Sequence, residues 1–248
     1  MRSNKTVLIN YLYHSGFAVG YDEHFLVFDY FKHEPDVENR GINNGYLTDN
    51  EMSKKPNPYV FVSHSHYDHY NPVIFDWYNS NSKIQYILSS DVKKKQTQSS
   101  CIYMEPYERI DKGNITISTY GSTDIGVSFL VDIDGIRIFH AGDLNWWHWA
   151  DESTVEELRE EEEKFKNEVA RFENEKIDIL FFPVDPRLGE HYYLGGEYMI
   201  NKFKPKLFVP MHFADNVGIT SRFAKKMSNN GIDIAEITHR GQTIEFTI

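Results

Sequence analysis

The 248-residue sequence predicts an α/β (α+β) fold of stacked β-sheets with helices on the outside. Three observations predict it. Short β-branched and aromatic runs separated by turn residues dominate the first 140 residues. Strand and helix patterns alternate after residue 176. Between these two parts lies a single acidic stretch with helical periodicity.

The elements follow in order. Thr6 to Tyr13, Phe17 to Tyr21 and Phe25 to Phe31 read as strands, and residues 32–57 as a long polar connection rich in Asn, Gly and Pro. Tyr59 to Ser63 (YVFVS) is a short apolar run, as in a buried strand, and Asn71-Pro72 reads as a helix start with proline in the first position. Further strands are expected at Lys83 to Leu88, Ile115 to Tyr120, Gly126 to Ile133 and Ile136 to His140, the last two joined by an Asp134-Gly135 hairpin turn. Residues 151–176 hold 11 acidic and 5 basic residues. Ser153 and Glu156 there form a capping-box pattern, and Val155, Leu158, Phe165, Val169 and Phe172 make a narrow apolar stripe. This is a long solvated helix docked by one face. A strand over Lys176 to Val184, a helix over Gly195 to Phe203, a strand over Lys206 to Pro210, a helix over Thr220 to Ser228 and two terminal strands complete the chain. No sequence repeat is present, but YVFVSH and LFVPMH both read as buried strands that deliver a histidine at their C-terminal end, where open α/β sheets place ligands.

Composition narrows the function. With 40% hydrophobic residues the chain can bury a full core, and residues 1–248 read as a single domain. A formal charge of −11 speaks against a nucleic-acid partner, which calls for a basic face. An acidic chain can still act on an anionic substrate when metal ions supply the positive charge. The only cysteine, Cys101, excludes an intrachain disulfide and fits a reducing compartment. No stretch approaches the ~20 apolar residues that span a bilayer, and the N-terminus lacks a signal-peptide pattern. The expectation is a cytoplasmic protein with a small-molecule substrate and no membrane partner; a homo-oligomer is left open.

The chemistry concentrates in SHSHYDHYNP, where His64, His66, Asp68 and His69 fall within six residues at the exit of an apolar strand. His64 and His66 are two apart, so in an extended segment they point the same way. Asp68 and His69 follow where the chain can turn back. Imidazoles with a carboxylate suit zinc, iron or manganese far better than calcium.

This segment resembles the HxHxDH signature of the metallo-β-lactamase superfamily. Three other segments are similar to that family in the same order: YLYHSGFAVGYDEHFLVFDYF, ending near Asp29; RIFHAGDLN, with Asp143; and KPKLFVPMHF, with His212. The branch it looks most like contains the ascorbate-6-phosphate lactonase. The resemblance implies an αββα sandwich of two mixed β-sheets flanked by helices, with a two-metal site. It assigns His64 and His66 to one metal, Asp68, His69 and His212 to the other, and Asp143 to both. It further implies one or two zinc ions (or manganese or iron) and a metal-dependent hydrolase that uses a metal-bound hydroxide on a small ester, lactone or phosphoester, with Asp68 also orienting the nucleophile.

One departure stands out. The family supplies a third histidine to the first metal from the loop that here reads YGSTDIGVS, and no histidine occurs between His69 and His140. Asp124 as substitute ligand, His191 or His14 reaching in, and a weak first site are three accounts that remain open. Among other candidates, His14 stands at a turn, as a substrate or supporting contact or as an ordinary turn residue. His140 reads as packed rather than ligating. Trp146, Trp147 and Trp149 read as packing against the acidic helix, with an apolar substrate wall as the alternative. Arg187 suits a substrate anion or a structural salt bridge equally. The competing function is a one-metal or weakened relative that binds or senses a ligand. A flavin-linked di-iron redox role finds no room for a flavodoxin-like extension.

Overall fold

A computed structural model describes residues 5–34, 38, 40–94 and 100–248; the first four residues and part of the polar connection expected over 32–57 lie outside the described residues. The chain divides into two units, Met1–Tyr103 with Thr238–Ile248, and Met104–Ile237.

The first unit is built on a seven-stranded mixed sheet in the order β14-β1-β2-β3-β4-β5-β6. Its strands are β1 (Thr6–Tyr13), β2 (Gly16–Tyr21), β3 (His24–Phe28), β4 (Asn57–Val62), β5 (Gln85–Ser89), β6 (Cys101–Met104) and the returning β14 (Thr243–Thr247). The β14, β1, β2 and β3 neighbours run antiparallel, whereas β3, β4 and β5 run parallel. Between β1 and β2 the chain turns at His14, whose φ is 58°. Gly16 follows because a Cβ there would lie 2.9 Å from the Tyr13 carbonyl oxygen and 3.0 Å from that of Asp29. The connection after β3 contains a short helix that sequence periodicity did not reveal, α1 (Asp49–Ser53), started by a capping box of Thr48 and Glu51. The start expected at Asn71-Pro72 is found, but it opens a 3₁₀ segment, Pro72–Asn79, rather than an α-helix. Its aromatics dock it on the core. Trp77 packs on Tyr30 at 5.1 Å and Phe75 on Tyr86 at 5.0 Å between ring centroids, and the Tyr86 hydroxyl donates to the Ile74 carbonyl. Cys101 is half-buried against this same core.

The second unit carries a seven-stranded mixed sheet in the order β13-β12-β11-β10-β9-β8-β7. Its strands are β7 (Arg109–Asp111), β8 (Ile115–Tyr120), β9 (Ser128–Ile133), β10 (Ile136–His140), β11 (Ile179–Pro183), β12 (Leu207–Met211) and β13 (Asp233–Ile234). From β7 to β10 the strands alternate in direction; β10, β11, β12 and β13 run parallel. The β9–β10 hairpin turns at Asp134 and Gly135 as expected, both with positive φ (51° and 84°). Parallel strands β11 and β12 are buried along their whole length, which explains their unbroken apolar runs.

The acidic helix α2 spans Val155–Ala170, shorter than 151–176, and its capping box is Thr154 with Glu157 rather than Ser153 with Glu156. Both pairs satisfy the pattern, but the Glu152 and Ser153 amides are taken by a turn closing on the Trp149 carbonyl, so helical geometry begins one residue later. Phe165 and Val169 are buried on its inner face, Phe165 edge-on to Phe182 of β11. Beyond the helix Phe172 stacks on Phe139 of β10 and on Phe203, the last residue of α3 (Leu194–Phe203). The helix α4 (Gly218–Lys226) stacks Phe223 on Phe208 of β12. Among the described residues no helix is long and apolar enough to cross a membrane.

Burial pushes the phenols of Tyr30 and Tyr120 up to about 12, with the nearby Glu175 carboxylate adding to the effect at Tyr120. Each raised value favours the neutral phenol in the folded chain. Its contribution to stability is therefore whole below the ordinary tyrosine value of 10.0 and is lost as the pH rises through about 12. The tyrosine contribution to the denaturant midpoint should thus be level below pH 10 and fall between about 10 and 12, with Tyr120→Phe making that fall shallower. A midpoint unchanged across this interval in the native chain contradicts the assignment.

Candidate metal centre

In the first unit the candidate residues gather at the ends of two parallel strands. β3 pairs with β4 in register Phe28↔Phe61, so the residues after β3 and after β4 emerge at the same edge of the sheet. Asp29 follows β3 with a left-handed φ of 44°, fully buried. Its Oδ1 accepts the Ser63 amide at 2.8 Å, and its Oδ2 accepts the Ser63 hydroxyl at 2.7 Å and His69 Nδ1 at 2.8 Å. Because the Ser63 hydrogen goes to Asp29, the 2.9 Å contact between Ser63 Oγ and His64 Nδ1 requires the imidazole to donate. One carboxylate therefore places the proton on Nδ1 of both His64 and His69, so that Nε2 is the nitrogen of each that could ligate a metal.

His64 and His66 come together, though not by strand alternation. β4 ends at Val62, their ring centroids lie 4.7 Å apart, and a turn closed by the His69 amide donating to the His66 carbonyl follows. The ligand atoms of His14, Asp68 and His69 lie within 4.8 Å of one another. His14 Nε2 is 3.6 Å from Asp68 Oδ2. Burial acts to raise the Asp68 carboxyl, but the His14 hydrogen bond and the adjacent His69 overcome it and hold the group well below the usual carboxylate range.

The second unit repeats the device on strands of different sequence. β10, β11 and β12 run parallel side by side, so Asp143, Asp185 and His212 all follow strand ends at one edge. His212 comes directly after β12 with φ 67°. Its Nδ1 donates to Asp185 Oδ2 at 2.9 Å, and its Nε2 lies 3.3 Å from Asp143 Oδ1. Asp185 is buried, which acts to raise its pKa, but the bonds from His212 and Arg187 bring it down to about 2. The Arg187 guanidinium bonds both Asp185 oxygens and lies over the Trp149 ring at 5.5 Å. Of the two readings of Arg187, the salt bridge is what the structure contains; its side chain is still 61% exposed.

The aromatic run after Asp143 divides its roles. Trp146 stacks on Phe165 of α2, as expected for packing. Trp147 instead donates Nε1–H to the Asp143 carbonyl and lies edge-to-face with His212, ring centroids 5.5 Å apart, while Trp149 lies parallel to it at 5.7 Å. His140 is buried, and its Nδ1 accepts the Gly142 amide, in keeping with a packed histidine that shapes the turn into Asp143.

Of the residues considered for the missing third histidine, Asp124 has a carboxylate oxygen within 4.8 Å of one from Asp143. Its neighbour Thr123 is buried and tied to the Asp143–Asn145 turn, donating to the Asn145 carbonyl at 2.7 Å and accepting the Asn145 amide at 3.0 Å. His191 ends the 3₁₀ segment Pro186–His191 and lies against His148 at 4.3 Å, on a cleft shared with Trp149, Arg187 and Leu188. His14 stands with Asp68 and His69. Two supporting residues escaped assignment from the sequence. Ser63 has no motif of its own, and only the alternation of buried and polar positions at the end of YVFVS marks it. Asp185 has no motif either, and only its place between the apolar strand ILFFPV and Pro186 marks it.

No protein-family model matches the chain. Solved structures do. Igni18, a metallo hydrolase from the archaeon Ignicoccus hospitalis, is 16% identical and superposes with a TM-score of 0.65 over 97% of this chain and 98% of that one. YhfI from Bacillus subtilis, a metallo-β-lactamase fold protein, is 12% identical with a TM-score of 0.60 over 98% and 100%. CmlA, a diiron β-hydroxylase from Streptomyces venezuelae, is 8% identical with a TM-score of 0.59 over 98% of this chain and 54% of that one. The chain thus has the metallo-β-lactamase fold, the fold class that its sequence implied.

The donor set fits a divalent transition metal, since two histidines are held through Nδ1 by buried carboxylates, the usual support for a ligating imidazole. Asp29→Asn and Asp185→Asn should each weaken uptake of Zn²⁺ or Mn²⁺ on the order of 10–100-fold, with Ser63→Ala milder. Calorimetric titration of metal-free protein measures this. Unchanged affinity in both asparagine variants would show that the pairs serve packing alone.

Proposed function

We propose that the protein is a metal-dependent hydrolase of a small ester, lactone or phosphoester. The observation that carries this reading is the pair of carboxylate–imidazole contacts, Asp29 to His69 at 2.8 Å and Asp185 to His212 at 2.9 Å, each of which turns an Nε2 out as a metal ligand. The fold shared with the metallo hydrolase Igni18 supports it. On the ligand pattern that the sequence resembles, His64 and His66 would hold one ion, Asp68, His69 and His212 the other, and Asp143 both. Zinc, manganese and iron all suit such donors. Bound ions would lower the pKa of a water ligand to roughly 7 and polarise the scissile carbonyl or phosphoryl group.

The residues of the chain do the rest. Asp68, with its carboxyl held far below neutrality, is too weak a base to take a proton outright; it acts by ligation and by accepting a hydrogen bond from the attacking water. His14 fixes the Asp68 carboxylate through Nε2. Trp147 and Trp149 form a flat apolar wall that limits water beside His212. Arg187, anchored on Asp185 and largely exposed, favours a substrate with negative charge. That preference agrees with the lactonase branch whose substrate carries a phosphate, and it makes phosphorylated lactones and esters the first compounds to try.

Purified protein should contain one to two transition-metal ions per chain, and a panel of esters, lactones and phosphodiesters should show turnover that chelation removes and Zn²⁺ or Mn²⁺ restores. Asp143→Ala should lose metal and turnover together, whereas His140→Ala should keep most of both. Full metal content with no turnover on any substrate would favour a ligand-sensing role; activity that survives exhaustive chelation would refute the hydrolase reading.

A further inference from the structure

We propose that His148 and His191 form a further binding site for a borderline transition-metal ion such as Zn²⁺. The site uses none of the residues of the candidate metal centre. Both imidazoles belong to the second unit, and the inference does not rest on the proposed function.

The first support is placement. The two ring centroids lie 4.3 Å apart with the planes tilted by 49°. That spacing falls between those of His64 with His69 (4.1 Å) and with His66 (4.7 Å). Rings this close are in van der Waals contact, with no room for a water between them. His148 Nδ1 is buried and has no hydrogen-bond partner among the described residues. An imidazole nitrogen left in that state is destabilising, and a cation that takes its lone pair relieves the cost.

The second support is how the backbone presents the two rings. The His148 amide donates to the Trp146 carbonyl and the Ala150 amide to the His148 carbonyl, both at 2.9 Å, so two successive tight turns fix this residue. His191 closes the 3₁₀ segment Pro186–His191, and within that segment Gly189 has φ 57° and ψ −124°. A Cβ at Gly189 would meet nothing within 4 Å, so glycine serves there for its backbone angles and not for room. The turn it permits leads into Glu190 and His191. Glu190 is then held by a two-pronged pair with Arg222, at 3.0 and 3.1 Å, which anchors the residue before the imidazole.

The third support is electrostatic. Burial lowers the His148 pKa, and the neighbouring His191 lowers it further against the pull of Glu162. The neutral imidazole that results is the form that ligates a metal. His191 also lines a cleft of about 200 Å³ together with Asp151 and Glu152. Two imidazoles, with a carboxylate or water to complete the shell, are donors that suit Zn²⁺. The open coordination positions face whatever occupies the cleft.

The test uses metal-free native protein and the variants His191→Gln and His148→Gln, titrated with Zn²⁺. Metal per chain is counted by mass spectrometry, and the imidazole proton resonances are followed by NMR, with those of His148 and His191 assigned from the variants. His191 is only half-buried, so the melting temperature of metal-free His191→Gln should match the native chain, which checks the fold. In native protein both ring signals should shift together in one step. His191→Gln should weaken that step at least about tenfold and spare the others. Ring signals that respond to pH but not to Zn²⁺ would make the pair a packing contact and overturn the proposal, as would native affinity and metal count in His191→Gln. Either result leaves the hydrolase reading in place. Zn²⁺ that moves His148 and His191 while His64, His66, His69 and His212 stay unmoved would uphold this site and overturn the hydrolase reading.

Discussion

A carboxylate buried with no water must find donors close by, and the arrangement around Asp29 follows from that need. Its two oxygens accept three bonds, from the Ser63 amide, the Ser63 hydroxyl and His69 Nδ1. Each has a consequence beyond satisfying charge. The amide bond ties the end of β4 to the end of β3. The hydroxyl bond makes Ser63 an acceptor toward His64, which settles the His64 tautomer one step removed. The imidazole bond aims His69. Removing Asp29 would leave three donors buried in its place, so the fold of this edge and the orientation of His64 and His69 stand on one side chain.

The backbone bears part of the burden. His14, Asp29 and His212 all adopt left-handed conformations, with φ of 58°, 44° and 67°. For residues with a Cβ such conformations cost on the order of 1–3 kcal/mol when poorly tolerated. Aspartate and histidine tolerate them better than most. In each case a strand has just ended and the chain must reverse to present a side chain at the sheet edge. Hydrogen bonds from the side chain or backbone of that residue then keep the conformation: Asp29 through Ser63 and the Phe61 carbonyl, His14 through the Tyr11 hydroxyl, His212 through Asp185. The position of the strand ends and the chemistry of the site are thus one constraint.

Much of this was legible in the sequence, and the remainder was hidden for definite reasons. The strands over YVFVS, ILFFP and LFVPM are buried on both faces, so they appear as unbroken apolar runs. The Asp134-Gly135 turn shows itself because both positions need positive φ. The histidine cluster is dense enough to be seen without context. By contrast, α1 is only five residues long and its apolar content is one methionine, Met52, too little for periodicity to register. The helix cap shifted from Ser153 to Thr154 because two overlapping capping patterns exist and the choice is made by a turn onto Trp149 that the sequence does not disclose. The same holds at the site. Ligand identities are local, but Ser63 and Asp29 are partners across 34 residues and His212 and Asp185 across 27, so their pairing depends on strand order.

The faint echo between YVFVSH and LFVPMH has a physical explanation that needs no repeat. In the first unit the histidine that ends YVFVSH, His64, meets the Ser63 hydroxyl through Nδ1, and that hydroxyl donates to Asp29 at the end of the neighbouring parallel strand β3; His69, beyond the turn, meets the same carboxylate directly. In the second, His212 follows β12 and its Nδ1 meets Asp185 at the end of the neighbouring parallel strand β11. Parallel neighbours are the one strand arrangement in which two successive C-terminal ends lie side by side, about 4.8 Å apart. An imidazole at one end therefore reaches a carboxylate at the next, directly for His212 and through the Ser63 hydroxyl for His64. Antiparallel neighbours would place a strand start there instead. Both sheets are mixed, and in both the candidate histidine belongs to the parallel part. The apolar run before each histidine fits that setting, since a strand flanked by parallel neighbours and covered on both faces is apolar along its length. The shared pattern in the sequence is thus the signature of a shared mechanical solution: a buried parallel strand pair is the shortest route by which a chain can aim Nε2 of a histidine while holding its Nδ1.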